Sequence, residues 1–214
     1  MRTSGKRQYL PPEEIYRRSF SRIQKDFGSY KFSEEEMLIR TRIAHTSADV
    51  DFAKSFVFHP EAINAGIRAL QEGKNIVTDV SMVESGIRAR LPGNYTGKLQ
   101  CFLYDDGVAA GAKRTGSTKA AVAMAGASDD FRDGIVAIGN APTALFELID
   151  LIGEGKARPA LVIGVPVGFV GAAESKEELM EMQVPFISNP DRRGGSPLAA
   201  AIVNGLIHLA FNSR

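Results

Sequence analysis

Cysteine is nearly missing from these 214 residues. Cys101 is the only one, so no disulfide can form within the chain and no cysteine-based zinc site can be built. Such a chain suits a reducing compartment, and the cytoplasm is its expected location. An excess of charge is lacking too: 26 Lys and Arg stand against 25 Asp and Glu, a net charge of +1. That gives no global field to gather nucleic acid or a membrane surface, so neither is an expected partner, and a charged ligand must be held by local clusters. No apolar run approaches the length of a transmembrane helix, and the basic start, MRTSGKRQYLPPEE, has no apolar stretch of the kind a secretion signal needs. It reads as a flexible leader over residues 1–11. Motif absences narrow the chemistry further. There is no Gly-x-Ser-x-Gly elbow for a serine nucleophile and no Gly-x-Gly-x-x-Gly turn for a dinucleotide. The nearest approach, Gly164 through Gly168 to Gly171, carries Pro166 where such a loop offers an N–H to pyrophosphate. The three histidines have no metal-ligand spacing, so no protein-bound metal is expected.

What is present is enough apolar residue, 44% of the chain, to bury a substantial core in one domain spanning residues 1–214. The first third reads helical. Pro11 and Pro12 followed by Glu13 and Glu14 make a helix start, and Ile15, Phe20, Ile23 and Phe27 mark one face. Ser33 with Glu36 forms a capping-box pattern opening a second helix, residues 49–58 predict a third before Pro60, and 61–70 a fourth ending at Gly73. The rhythm then changes. Short apolar runs at 76–80, 99–103, 135–138, 160–165 and 184–187 alternate with helical stretches at 117–126, 143–151, 175–182 and 197–211. The expected architecture is α/β, a three-layer α/β/α sandwich around a mostly parallel sheet of about five strands, with a helical N-terminal part.

In such sheets ligands bind beyond the carboxyl ends of the strands. There the chain places Asp79 and Ser81 after the first run, Tyr104 to Asp106 after the second, and glycine-rich loops after the later ones. Glycines let a backbone approach a large ligand, and helix N-termini favour carboxylates or phosphates; tight α/β turns call for the same residues. Among the histidines only His45 lies among groups of catalytic type, with Arg42 one turn before it and Asp49 one turn after it if the helix runs through. Imidazole titrates at about 6.5 unperturbed, so it can give and take a proton at cellular pH. On spacing alone a helix-capping or core histidine explains His45 as well, and His59 and His208 read as structural.

Five segments carry a resemblance: RIAHTSADVDF, GKNIVTDVSMVESGI, AIGNAPTALFELIDLI, GVPVGFVGAAESKEEL and RGGSPLAAAIVNGL. In that order they resemble the landmark segments of the precorrin-8X methylmutase family and its cobalt-precorrin-8 counterpart, from about Tyr16 to the C-terminus. The resemblance implies an isomerase of corrin (vitamin B12) biosynthesis that moves a methyl group from C-11 to C-12 of the macrocycle, with no organic cofactor and any cobalt belonging to the substrate. It implies His45 as proton donor or acceptor, Ser19 and Arg114 as substrate contacts, and places Arg42, Asp79 and Ser81 in matching segments. It also implies a homodimer, and for so large a ligand a neighbouring subunit is expected to help complete the site. Two other readings stand beside it: an α/β enzyme acting on another large anionic metabolite, and a non-catalytic tetrapyrrole carrier, which would bind the pigment without changing its connectivity.

Overall fold

The computed structural model describes residues 9–212, so most of the leader expected over residues 1–11 lies outside the described residues. Helix α1 (Pro12–Phe27) starts with Pro12 in the first turn, where no backbone N–H is required, and with Glu13 and Glu14 at the positive end of the helix dipole. Of its residues only Phe27 is fully buried, so α1 is a thinly anchored arm. Helix α2 (Glu34–Ser47) is opened by Ser33, whose Oγ accepts the Glu36 N–H at 3.1 Å. The Glu36 carboxylate turns to Arg40, 2.6 Å away, rather than back to the cap.

Arg40 redirects the chain after α2. The helix expected over residues 49–58 is cut to α3 (Val50–Lys54), and the rest becomes a short strand, β1 (Val57–Phe58). The buried Arg40 guanidinium, held between the rings of Phe32 and Phe58 at 4.3 and 4.6 Å, donates to the carbonyls of Ala53 (2.6 Å), Lys54 (3.2 Å) and Phe56 (2.9 Å). Arg40 thus caps the C-terminal carbonyls of α3, and Val57 and Phe58 pair with the sheet. Burial pushes the pKa of Arg40 down and the Glu36 carboxylate pushes it up.

Beyond α4 (Ala62–Gln71) the chain alternates through β2 (Ile76–Thr78), α5 (Ser81–Arg88), β3 (Leu99–Cys101), α6 (Val108–Thr115), α7 (Lys119–Gly126), β4 (Ile135–Ile138), α8 (Pro142–Gly153), β5 (Leu161–Gly164), α9 (Ala172–Glu181), β6 (Phe186–Ser188) and α10 (Ser196–Asn212). The sheet has six strands in the order β1-β6-β5-β4-β2-β3. All neighbours are parallel except β1 and β6, so the strand added to the expected five is the antiparallel edge that Arg40 releases. Helices α5 and α6 also join those foreseen.

The alternation of side chains along the central strands makes the layers. Ile135, Ala137, Leu161 and Ile163 point into one core with Ile39 and Ile43 of α2, Val83 and Ile87 of α5, and Ile202 and Leu206 of α10. Val136, Ile138 and Val162 point into the other, against Met124 of α7, Leu145 and Leu148 of α8 and Leu179 of α9. The near-continuous apolar strands are therefore covered on both faces, as a parallel sheet requires. Helix α10 begins against the end of β4. A Cβ on Gly139 would lie 2.7 Å from Ser196 Cα, so only glycine allows the α10 N-terminus to sit there.

Strand order reverses between β2 and β4: the chain leaves β2 outward to β3, then returns across it to build β4, β5 and β6. That switch point, with the adjoining carboxyl ends of the strands, is where an open α/β sheet leaves a crevice for a ligand.

Candidate functional site

His45 lies in the last turn of α2, and α1 passes over it. Helical spacing on α1 brings Tyr16, Ser19 and Phe20 to the imidazole together, because residues three and four apart share a face. Ser19 Oγ lies 2.9 Å from His45 Nδ1, with the rings of Tyr16 and Phe20 at 5.6 and 5.4 Å from the imidazole. A hydroxyl both donates and accepts. Ser19 can accept from Nδ1–H, which leaves Nε2 a base on the neutral ring and an acid on the imidazolium, or donate to Nδ1, which leaves a neutral Nε2–H able only to donate a hydrogen bond. Among the described residues no group is hydrogen-bonded to Nε2, which leaves that nitrogen for a ligand.

The pair borders a cleft of about 1020 Å³ between α1 and the α2–α3 junction. Arg18, Arg22 and Lys25 stand on the α1 wall, with His45, Ala48 and Val50 opposite. Arg18 shares Glu14 with Arg17, at 2.6 and 2.7 Å. Hydrogen bonding from Arg17, then Arg18, holds the Glu14 carboxyl down at about 2. Arg22 and Lys25 make no ion pair among the described residues, so the wall presents net positive charge to the cleft.

The expected run of α2 through Asp49 is not what forms. Helix α2 ends at Ser47, Ala48 turns into the left-handed region with φ 56°, and Asp49 caps the next helix, its Oδ1 accepting the Phe52 N–H at 2.8 Å. Asp49 therefore does not orient the imidazole; Ser19 occupies Nδ1 instead. Arg42, one turn before His45, is half-buried and lines a separate, more apolar pocket of about 510 Å³ with Phe20, Phe32, Met37, Leu38 and His208. Its Nε is buried with no partner among the described residues. Burial lowers the Arg42 pKa, with the Arg90 charge acting the same way, and burial lowers that of His208, with Arg42 adding to it. Phe20 touches both places, the His45 ring and the Arg42 pocket.

The three remaining residues stand apart from this cleft. Asp79, at the carboxyl end of β2, is 3% exposed, and its carboxylate accepts the N–H groups of Gly139 (3.0 Å), Asn140 (2.7 Å) and Ala141 (2.8 Å). It stitches β2 to the loop after β4 across the switch point, and both of its oxygens are occupied. Burial raises its pKa and the three amides draw it back down. Ser81 is exposed as the first residue of α5, and Arg114 is exposed in the last turn of α6 with no ion pair among the described residues. His59 accepts the Glu61 N–H at 3.2 Å, a local structural contact. Among the described residues no three His, Cys, Asp or Glu side chains gather to hold a metal ion, and no helix is long and apolar enough to cross a membrane.

Sequence reasoning alone misses Arg18, Arg22, Lys25 and Tyr16 as members of the site. A signal exists in the helical period of α1, which aligns Tyr16 with Ser19 and Phe20. It is masked because Ile15, expected on the inner face with Phe20, is 52% exposed.

Lys176 is missed as well. This α9 side chain is completely buried and donates to Asn189 Oδ1 (3.3 Å), to the Asp191 carbonyl and to the Arg193 carbonyl (2.8 Å), which knots the loop between β6 and α10. Burial pushes its pKa from 10.5 down to about 8. The folded protein then holds fewer protons than the unfolded chain between those values, so stability is expected to rise with pH across that window and to lose the increment as pH falls through 8. Urea melts of wild type and K176M at pH 7.5, 8.5 and 9.5 check this. The stability difference should move towards the wild type as pH rises, and a pH-independent difference would refute it.

The precorrin-8X methylmutase family model matches residues 14–209. The chain is 46% identical over 209 residues to the cobalt-precorrin-8 methylmutase of Priestia megaterium, covering 98% of this chain and 93% of that protein. It is 42% identical to the precorrin-8X methylmutase of a Sinorhizobium species, covering 90% and 92%. The crystal structure of precorrin-8X methylmutase from Thermus thermophilus superposes with a TM-score of 0.85 at 38% identity, over 92% of this chain and 96% of that one.

Proposed function

The chain belongs to the precorrin-8X methylmutase family, and on that premise we propose that His45 is the acid–base group of a methyl migration from C-11 to C-12 of a corrin macrocycle. The protein is an isomerase of cobalamin biosynthesis. The observation that carries the role of His45 is the Ser19–His45 pair at 2.9 Å beside a cleft with a cationic wall. A methyl shift within a conjugated macrocycle needs neither a nucleophile nor a redox cofactor. It needs the ring held rigidly and its charge state adjusted. Nε2 of His45 protonates or hydrogen-bonds the ring beside the receiving carbon, which makes that carbon electron-poor. Ser19 accepts from Nδ1–H in both states, so the proton is gained and lost at Nε2 alone.

The substrate is precorrin-8X or cobalt-precorrin-8, whose acetate and propionate carboxylates surround a broad apolar ring. Arg22 and Lys25 suit the carboxylates, and Tyr16 and Phe20 suit the ring. Arg42 takes a further acidic arm from its half-buried position. Ser81 and Arg114 do not line the cleft that their own chain builds around His45, so in this reading they reach substrate in a homodimer in which a second copy brings them there. Exposed apolar side chains on the α1 arm, Ile15 and Tyr16, and in the loop after β5, Phe169 and Val170, are consistent with cover by that copy. Asp79 acts indirectly, by holding the loop at residues 139–141. The working compartment is the cytoplasm, which suits the lone thiol of Cys101, and the enzyme itself carries no cofactor.

Anaerobic incubation with metal-free and with cobalt-containing precorrin-8, followed by visible spectrum and by NMR of the migrating methyl group, tests the reading. Conversion to a C-12-methylated corrin is expected, and the faster of the two identifies the natural metal state. Spectral binding without rearrangement would make the protein a carrier and His45 a mere contact.

A further inference from the structure

The break between α2 and α3 is tied to a distant loop by an Asp49–Arg193 contact. Ala48 holds a left-handed backbone, φ 56° and ψ 25°, which a residue with a Cβ adopts only when its surroundings enforce it. On one side Ser47 Oγ donates to the Ile43 carbonyl at 2.9 Å and accepts the Asp49 N–H at 3.2 Å. On the other side Asp49 divides its carboxylate: Oδ1 caps α3, and Oδ2 accepts from Arg193 Nη1 at 3.0 Å. The Arg193 guanidinium lies over the Phe52 ring at 4.1 Å and holds Asp191 Oδ2 through Nε (3.0 Å) and Nη2 (2.8 Å). Its backbone is fixed in turn, since the Arg193 carbonyl accepts from Lys176 and from Asn189 Nδ2 (3.0 Å). A chain of contacts thus runs from buried Lys176 through Arg193 and Asp49 to a strained residue three positions after His45.

We propose that the Asp49–Arg193 pair is a positioning clamp that fixes the α2–α3 junction and so sets the direction of His45 Nε2 into the cleft. The proposal rests on the reading of His45 as the acid–base group. Arg193 and Asp49 are positioning residues. With side chains 52% and 42% exposed, the pair adds little to global stability, because solvent screens it. Its effect is therefore sought in turnover, where a small misdirection of a reacting group is costly.

The test compares R193M, R193K, H45A and the double variant H45A/R193M, each checked by thermal melt. Readouts are kcat and KM from single-turnover and steady-state assays, and the imidazole nitrogen NMR signals of His45. R193M should lower kcat about 10-fold with KM changed less than about 2-fold. It should move the His45 nitrogen signals, leave the melting temperature nearly unchanged, and cause no further loss in the H45A background. R193K should restore part of kcat, since a single ammonium can hold Asp49 but not both carboxylates. Three results would overturn the clamp: kcat and the His45 signals unchanged in R193M, a rise in KM alone, which would make Arg193 a direct substrate contact, or an additional 10-fold loss in H45A/R193M. An H45A enzyme as active as wild type would remove the acid–base reading and the clamp with it. That result is read with Arg193 intact, so it is told apart from a failure of the clamp alone.

Discussion

Replacing His45 with alanine is expected to lower kcat by a factor of about 100 to 10,000, the range over which a positioned acid–base group contributes. The substitution leaves the fold in place, because His45 is exposed in the last turn of α2 and contributes nothing to either core. Binding of the pigment should persist, since the cationic residues of the α1 wall remain. The loss therefore falls on kcat and hardly on KM. Ser19→Ala should sit between the two enzymes. It keeps the imidazole and its aromatic neighbours but leaves Nδ1–H without the hydroxyl that accepts from it and fixes the tautomer, so a loss of about 10-fold is expected. Turnover of H45A within a few-fold of wild type, in the anaerobic assay that follows the methyl group, would remove His45 from the mechanism.

The second large effect concerns stability. Asp79→Ala strands the N–H groups of Gly139, Asn140 and Ala141 in a buried position, where an unmet donor costs about 1–3 kcal/mol. The three are neighbours and relax together, so a total of about 3–5 kcal/mol is expected rather than the full sum, a large share of the stability of an ordinary domain. Asp79→Asn should lose less, because its carbonyl oxygen still accepts while its amide group faces donors. Urea denaturation gives both values. A loss below about 1 kcal/mol in D79A would mean that the loop after β4 is held by its other contacts, chiefly the packing of Gly139 against the start of α10.

Asp79 and His45 differ in how much of their role can be read from residue order. Asp79 stands out in the sequence because polar residues beyond the carboxyl ends of parallel strands often meet a ligand. Its place at the switch point is legible from the order of apolar runs. Its partners are not, since they lie some sixty residues away and are backbone amides, which carry no sequence signal. For His45 the difficulty is opposite. The resemblance selects the residue, yet the local pattern suggests Asp49 as its neighbour. That expectation fails because α2 ends at Ser47 and Asp49 spends its carboxylate on capping α3 and on pairing with Arg193 from another loop.

The layered α/β architecture is already written in the order of the amino acids, because apolar strands buried on both faces and amphipathic helices between them admit few other packings. The family is written there too, in long motif strings that spacing arguments alone could not assign. Folding in three dimensions adds what no local pattern holds: Ser19 meets His45, Arg40 converts the end of an expected helix into β1, and Asp79 binds a loop instead of facing the His45 cleft. The physical reason is common to all three. Each outcome depends on which distant donor or acceptor reaches a polar group first, and that is set by packing, whereas the sequence records only the periodicity that makes the packing possible.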